Sequence, residues 1–190
     1  MLQSAVQALL DYFPDHIQAW FESLFPEWTL PPQLILKMQK VNGEDEFEAE
    51  KAAYTELSPL QRTVIPRLFG ELQYDNTRAL LMSDIGGACL AAPEGAMLEL
   101  DEFRRLIRQP LVSLSQFGVS QDDEKLDNFH LVDGRVMVVD LETMNCEKRR
   151  HMTDEQIEFD INCTVDRLTK CYEDNQYCFW EDGILSVGDE

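Results

Sequence analysis

The run Gln121-Asp122-Asp123-Glu124-Lys125-Leu126-Asp127-Asn128 concentrates the residue types that chemistry needs, and Val138-Val139-Asp140-Leu141-Glu142 follows shortly after. Asp123 and Asn128 stand five apart in a loop just ahead of two apolar runs, Phe129–Val132 and Arg135–Val139. Those runs flank Asp133-Gly134, a dipeptide suited to a two-residue hairpin turn in which both positions take positive φ. The hairpin returns Asp140 to the side of Asn128. Two carboxylates, one amide and the ammonium of Lys125 then converge. Such a set suits an oxygen-ligated Mg²⁺, a carboxylate base for a hydroxyl, and a cation for a transferring phosphoryl group.

Other elements must hold that loop in place. Leu34-Ile35-Leu36-Lys37-Met38 reads as a strand carrying one lysine, and Asn42-Gly43 as the turn after it. Residues 44–57 read as a helix whose acidic first turn, Glu44, Asp45 and Glu46, suits the positive end of the helix dipole. Its apolar face carries Phe47, Tyr54 and Leu57, and Glu50 lies on that same face. A carboxylate there costs several kcal/mol unless it finds a partner. Ser58-Pro59-Leu60-Gln61 has the form of a capping box and predicts a short helix.

Residues 67–74 and 78–83 read as a second hairpin with Asp75-Asn76 near its turn, and Asp84-Ile85-Gly86-Gly87 as a connection between two lobes. Two helices are expected over 99–109 and 110–118, with Pro110 opening the second. Thr153-x-x-Gln156 caps a last helix with Ile157, Ile161, Val165 and Leu168 on one face. At the other end, Val6, Leu9, Leu10 and Phe13, then Ile17, Trp20, Phe21 and Leu24, predict a helix pair over residues 3–25. That pair suits either packing on its own domain or docking to a partner. The prolines Pro26, Pro31 and Pro32 end it.

The loop and its spaced aspartate resemble the catalytic loop and metal-binding aspartate of the protein-kinase-like superfamily, written H-[RGD]-D-x-K-x-x-N, a hairpin, then D-[FLW]-[GE]. The variants Lys-Leu-Asp-Asn and Val-Asp-Leu-Glu are most similar to small fungal kinase-like proteins related to aminoglycoside and choline phosphotransferases. The resemblance covers residues 33 to about 145. It implies Asp123 as the base orienting an acceptor hydroxyl, and Lys125 as the lysine stabilising the transferring phosphoryl. It implies Asn128 and Asp140 as Mg²⁺ ligands, Lys37 as the lysine on the ATP phosphates, and Glu50 as its ion-pair partner. Ser83-Asp84-Ile85 matches the hinge whose backbone bonds adenine.

Three positions depart from the pattern. The usual His is Gln121, the Arg position is Asp122, and Glu142 replaces the Gly after the metal aspartate. Asp122 and Glu142 occur among the small-molecule phosphotransferases. Only 36 residues precede Lys37, and no glycine precedes Gly43 where the family has a phosphate-covering loop. The expected fold is therefore α+β: a minimal bilobal kinase-like domain with an N-terminal helical extension at 1–32, a reduced N-lobe at 33–84 and a C-lobe at 85–190. The expected activity is Mg²⁺–ATP-dependent phosphotransfer to a small-molecule hydroxyl. The rival expectation is a non-catalytic kinase-like module that binds a partner protein.

Composition agrees with a folded, soluble chain. Of 190 residues, 44% are hydrophobic, enough to bury a core. Sixteen Lys and Arg against 36 Asp and Glu give a net charge of −20, a field that repels nucleic acid and anionic membranes. It repels free polyphosphate too unless cations intervene. No apolar run approaches the roughly 20 residues that span a bilayer, and no basic segment precedes an apolar one as in a secretory leader. Cys89, Cys146, Cys163, Cys171 and Cys178 contain no CxxC pair, and are expected as reduced thiols of a cytoplasmic protein.

Overall fold

The structure, a computed structural model, describes residues 12–14, 17, 30–145 and 151–185. The helix pair expected over 3–25 falls largely outside the described residues, as does Cys146. The chain divides into two compact units, Met1–Leu34 and Ile35–Glu190, and all the candidate site residues belong to the second.

The architecture is α+β, with small sheets and three α-helices among the described residues. β1 (Leu34–Met38), β2 (Leu68–Tyr74) and β3 (Thr77–Ser83) form one sheet in the order β1-β3-β2. β2 and β3 are antiparallel, and Asp75 and Asn76 take φ of 48° and 57° at their turn. Both residue types tolerate the left-handed region, which matches the strand twist. Between β1 and β2 runs α1 (Glu44–Glu56), which buries Phe47, Glu50, Ala53 and Tyr54 and exposes its acidic first turn.

The capping box expected at Ser58–Gln61 does not form. Ser58–Leu60 is a single 3₁₀ turn, and its cap has no side-chain hydrogen bond. Gln61 instead donates to the Tyr54 carbonyl at 2.9 Å and accepts from the Leu68 N–H at 3.0 Å. Its amide thus stitches the end of α1 to the start of β2.

A second sheet has the order β4-β6-β7, from β4 (Ala88–Cys89), β6 (Phe129–Val132) and β7 (Arg135–Val138). Asp133 and Gly134 turn the β6–β7 hairpin with φ of 49° and 76°, as their dipeptide predicts. A third pairing joins β5 (Ser120–Gln121) to β8 (Met144–Asn145). It ties the start of the acidic loop to the segment beyond Asp140.

α2 (Leu100–Ser115) and α3 (Asp154–Glu181) are the two long helices of this unit among the described residues. The expected break at Pro110 is absent: α2 runs through it. A proline inside a helix deprives the i−4 carbonyl of its donor. Here, however, Phe103, Leu106, Ile107, Pro110, Leu111 and Leu114 form one buried stripe across the proline, and packing overrides the local cost. The α3 capping box does form, with Thr153 Oγ1 accepting from the Gln156 N–H and Gln156 Oε1 accepting from the Thr153 N–H.

Phe103 stacks on Tyr172 with ring centroids 4.1 Å apart, fastening α2 to α3. The Tyr172 hydroxyl donates to the Gly95 carbonyl at 2.8 Å and accepts from the Leu98 N–H at 2.9 Å. Gly95 is required there for space, because a Cβ would lie 2.1 Å from the Cys89 carbonyl oxygen. Cys89, Cys163, Cys171 and Cys178 are free thiols. No helix among the described residues is long and apolar enough to cross a membrane.

Candidate active site

Lys37 projects from β1 into a cluster of carboxylates. Its Nζ lies 2.8 Å from Glu50 Oε2 on α1, 2.9 Å from Asp140 Oδ1 beyond β7, and 3.1 Å from Glu142 Oε1. Glu50 is on the inner face of its helix because Phe47 and Tyr54 take that face to the core, and its side chain is only 2% exposed. Its second oxygen accepts from the Leu141 N–H at 3.4 Å. The buried carboxylate thus has a cation on one oxygen and a backbone donor on the other, as burial of a charge requires.

The acidic loop folds on itself. The Asp123 carbonyl accepts from the Lys125 N–H at 2.9 Å and from Asn128 Nδ2 at 3.0 Å, so the buried Asn128 amide sets the shape of the loop. Lys125 Nζ lies 2.9 Å from Asp123 Oδ2 on the solvent side. The Val139 N–H donates to the Asn128 carbonyl at 2.9 Å, which brings Asp140 beside Asn128 as the hairpin reading expects. Glu124 anchors the loop to α3 through Thr164 and Arg167.

Asp140 adopts φ +61°, a conformation that costs energy for a residue with a side chain. Two contacts keep it there. The Glu142 N–H donates to Asp140 Oδ1 at 3.3 Å, and Gln121 Nε2 donates to the Asp140 carbonyl at 3.0 Å. Gln121 itself is buried and accepts from Thr143 at 3.4 Å. Gln121 is therefore a brace on Asp140. Replacing Gln121 with Ala is expected to cost about 1–2 kcal/mol, the penalty of leaving a partly buried carbonyl unpaired. Gln121→His is expected to recover more than half of it. Urea denaturation of both variants measures this, and an alanine variant as stable as the parent would remove the brace.

Electrostatics single out the same groups. Burial works against the charge on Lys37, but hydrogen bonds and the fields of Glu50 and Asp140 outweigh it and hold the ammonium above the ordinary lysine range. Burial also works against Asp140, yet Lys37 holds that carboxyl below its usual value. At Glu50 burial wins over Lys37, and the carboxyl is pushed up. The opposite leanings of Lys37 and Glu50 describe one pair: contact favours both charges, and desolvation penalises the deeper one. The ammonium at 2.8 Å and the backbone donor favour the charged form of Glu50 against that burial. Hydrogen bonding to Asp123 raises Lys125, keeping it a firm cation.

No protein-family model and no curated protein matches this chain. The site stands on its own residues.

Ser83, Asp84 and Ile85, expected as a hinge, lie where β3 gives way to the second sheet. Ser83 closes β3, its N–H donating to the Arg67 carbonyl and its Oγ accepting from the Arg67 N–H, both at 2.9 Å. Asp84 Oδ1 accepts from the Gly86 N–H at 2.9 Å. Among the described residues no backbone hydrogen bond engages Asp84 or Ile85, which leaves both with main-chain groups that can meet a ligand.

The residues fit a hard cation. Asn128 spends its amide N–H on Asp123, so Oδ1 is its remaining side-chain ligand atom; Asp140 keeps Oδ2 while Oδ1 serves Lys37. Both are oxygen donors of the kind Mg²⁺ takes. A different carboxylate triad, Glu50, Asp140 and Glu142, has ligand atoms within 4.8 Å of one another. The Lys37 ammonium already fills the space among its three carboxylates. Sequence reasoning gave Glu142 no role and passed over Lys40, whose Nζ lies 2.5 Å from Glu142 Oε2. Their shared signal was a second lysine three residues after Lys37, and it carries weight only once the hairpin places Glu142 beside β1.

Proposed function

We propose that this chain has a minimal bilobal kinase-like fold and is a Mg²⁺–ATP-dependent phosphotransferase acting on a small-molecule hydroxyl in the cytoplasm. The observation that carries the reading is the meeting of Lys37 and Glu50 with Asp140, 103 residues away from Lys37, at 2.8 and 2.9 Å. An ammonium held by a buried carboxylate on one side and a metal-type aspartate on the other is an arrangement for gripping phosphates.

In this reading Ser83, its own N–H held by Arg67, anchors the hinge, the main-chain groups of Asp84 and Ile85 receive adenine, and Lys37 contacts the phosphates. Asn128 and Asp140 hold Mg²⁺, which supplies positive charge to a polyphosphate entering an acidic protein. Asp123 accepts the hydrogen bond of the acceptor hydroxyl and aims its oxygen at the terminal phosphorus. Lys125, 67% exposed and next to Asp123, offsets charge on the transferring group. Positioning and electrostatics are most of what phosphoryl transfer asks of a protein.

Isothermal titration with ATP, with and without Mg²⁺, tests the reading. Micromolar, Mg²⁺-dependent binding that disappears in Asp140→Ala is expected. No binding up to millimolar ATP would make the chain a non-catalytic kinase-like module, and the search would turn to a partner protein.

A further inference from the structure

Lys37 has three N–H donors and no acceptor, and three carboxylates already surround its Nζ within 3.1 Å. A phosphate oxygen reaching it must displace one of them. Glu50 is fixed, being 2% exposed and bonded to the Leu141 N–H. Asp140 can turn Oδ2 to a cation while Oδ1 stays on Lys37. Glu142 differs from both. It spends each of its oxygens on an ammonium, Oε1 at 3.1 Å from Lys37 and Oε2 at 2.5 Å from Lys40.

Lys40 is placed for the same ligand. The Gln39 N–H donates to the Arg78 carbonyl at 2.9 Å and the Gly43 N–H to the Lys40 carbonyl at 3.0 Å, so the main chain around it is tied down. Its side chain is nevertheless 66% exposed. It feels the charges of Glu142, Asp140 and Lys37 together. Two lysines thus share one carboxylate as they would share a phosphate. The local charges do not balance: Glu50, Asp140 and Glu142 oppose Lys37 and Lys40. A neutral residue at 142 would even them.

We propose that Glu142 is an internal competitor of the nucleotide phosphates, and that Lys40 is a second phosphate-binding lysine which it holds beside Lys37. The proposal rests on the phosphotransferase reading above. Entering phosphate oxygens take over both ammoniums, and Glu142 swings away. Lys40 then supplies a second phosphate contact from just beyond the end of β1. The exchange also sets a threshold: a ligand with a single anionic oxygen cannot replace both contacts of Glu142, whereas a di- or triphosphate can.

Isothermal titration of the full chain with Mg²⁺–ATP, and with adenosine as a phosphate-free probe, tests this. Glu142→Gln is expected to bind Mg²⁺–ATP at least about fivefold tighter, the lower end of usual coupling between competing interactions, with adenosine affinity unchanged. Adding Lys40→Gln to Glu142→Gln is expected to reverse most of the gain. A parent that binds Mg²⁺–ATP while Glu142→Gln binds it no tighter overturns this inference and leaves the phosphotransferase reading standing. Equal tightening for adenosine also overturns it, since the effect would not lie on the phosphates. Absence of Mg²⁺–ATP binding by both parent and Glu142→Gln overturns the inference and the reading together.

Discussion

Lys37→Met is expected to destabilise the fold by about 3 kcal/mol at neutral pH, the lower end of the cost of removing one partner from a buried ion pair. The methionine keeps most of the volume, so the loss is electrostatic. Glu50, 2% exposed, would retain only the Leu141 N–H at 3.4 Å. Lys37 is itself 22% exposed, which keeps the cost from the upper end. Two further measurements separate this cause from lost packing. The first is the double variant Lys37→Met/Glu50→Gln, which is expected to recover more than half the stability in urea because the deepest charge, that of Glu50, is gone. The second is pH. Burial already raises Glu50, and without the ammonium it rises further. A raised carboxyl costs nothing while protonated and costs more as pH climbs through its folded value. The penalty of Lys37→Met is therefore expected to be smaller at pH 5 than at pH 8. At high pH the comparison reverses. Lys37 sits above its ordinary 10.5, so its contribution is complete below that value and fades as pH rises through the folded one. A penalty flat across pH, unrescued by the second substitution, would place the effect in packing.

The Lys37–Glu50 pair was implied by the kinase-like resemblance, and the residues agreed with it: a glutamate three residues after Phe47 on an apolar face demands a partner. Asp140 beside Asn128 was legible because Asp133-Gly134 leaves a hairpin little freedom of register. Where tertiary contacts decided instead, the sequence misled. Pro110 has every local reason to open a helix, yet the buried stripe from Phe103 to Leu114 carries α2 through it. Ser58-x-x-Gln61 has the capping-box pattern, yet Gln61 meets stronger demands from Tyr54 and Leu68. Gln121 looked like a lost histidine, because its reach to the Asp140 carbonyl depends on the β5–β8 pairing. Two-residue strands of that kind leave no periodic trace. Glu142 went unread for a similar reason: beside a loop it is one acidic residue among 36 Asp and Glu, and only the fold gives it two lysines.

Asp123→Asn is expected to lower turnover at least about a hundredfold while leaving Mg²⁺–ATP affinity within about twofold, the division that a general base produces. Asparagine keeps the shape and can still sit against Lys125, but it cannot accept a proton and orients a hydroxyl poorly. The loop should hold without the charge. The contacts that shape it go to the Asp123 carbonyl, from the Lys125 N–H and Asn128 Nδ2, and the substitution leaves both. The side-chain pair with Lys125 is solvent-facing, and such pairs contribute little to stability. Intrinsic hydrolysis of ATP, with water in place of the acceptor, supplies the rate before any acceptor is known, and titration supplies the affinity. Asp140→Ala provides the contrast. There binding itself should fail, because in the proposed reading Asp140 offers a metal ligand, and it also holds Lys37 at 2.9 Å. Two aspartates brought to one place by a hairpin would thus be separated by what each variant loses. If Asp123→Asn instead loses affinity and turnover in equal proportion with the fold intact, Asp123 is part of the nucleotide site and the acceptor base lies elsewhere.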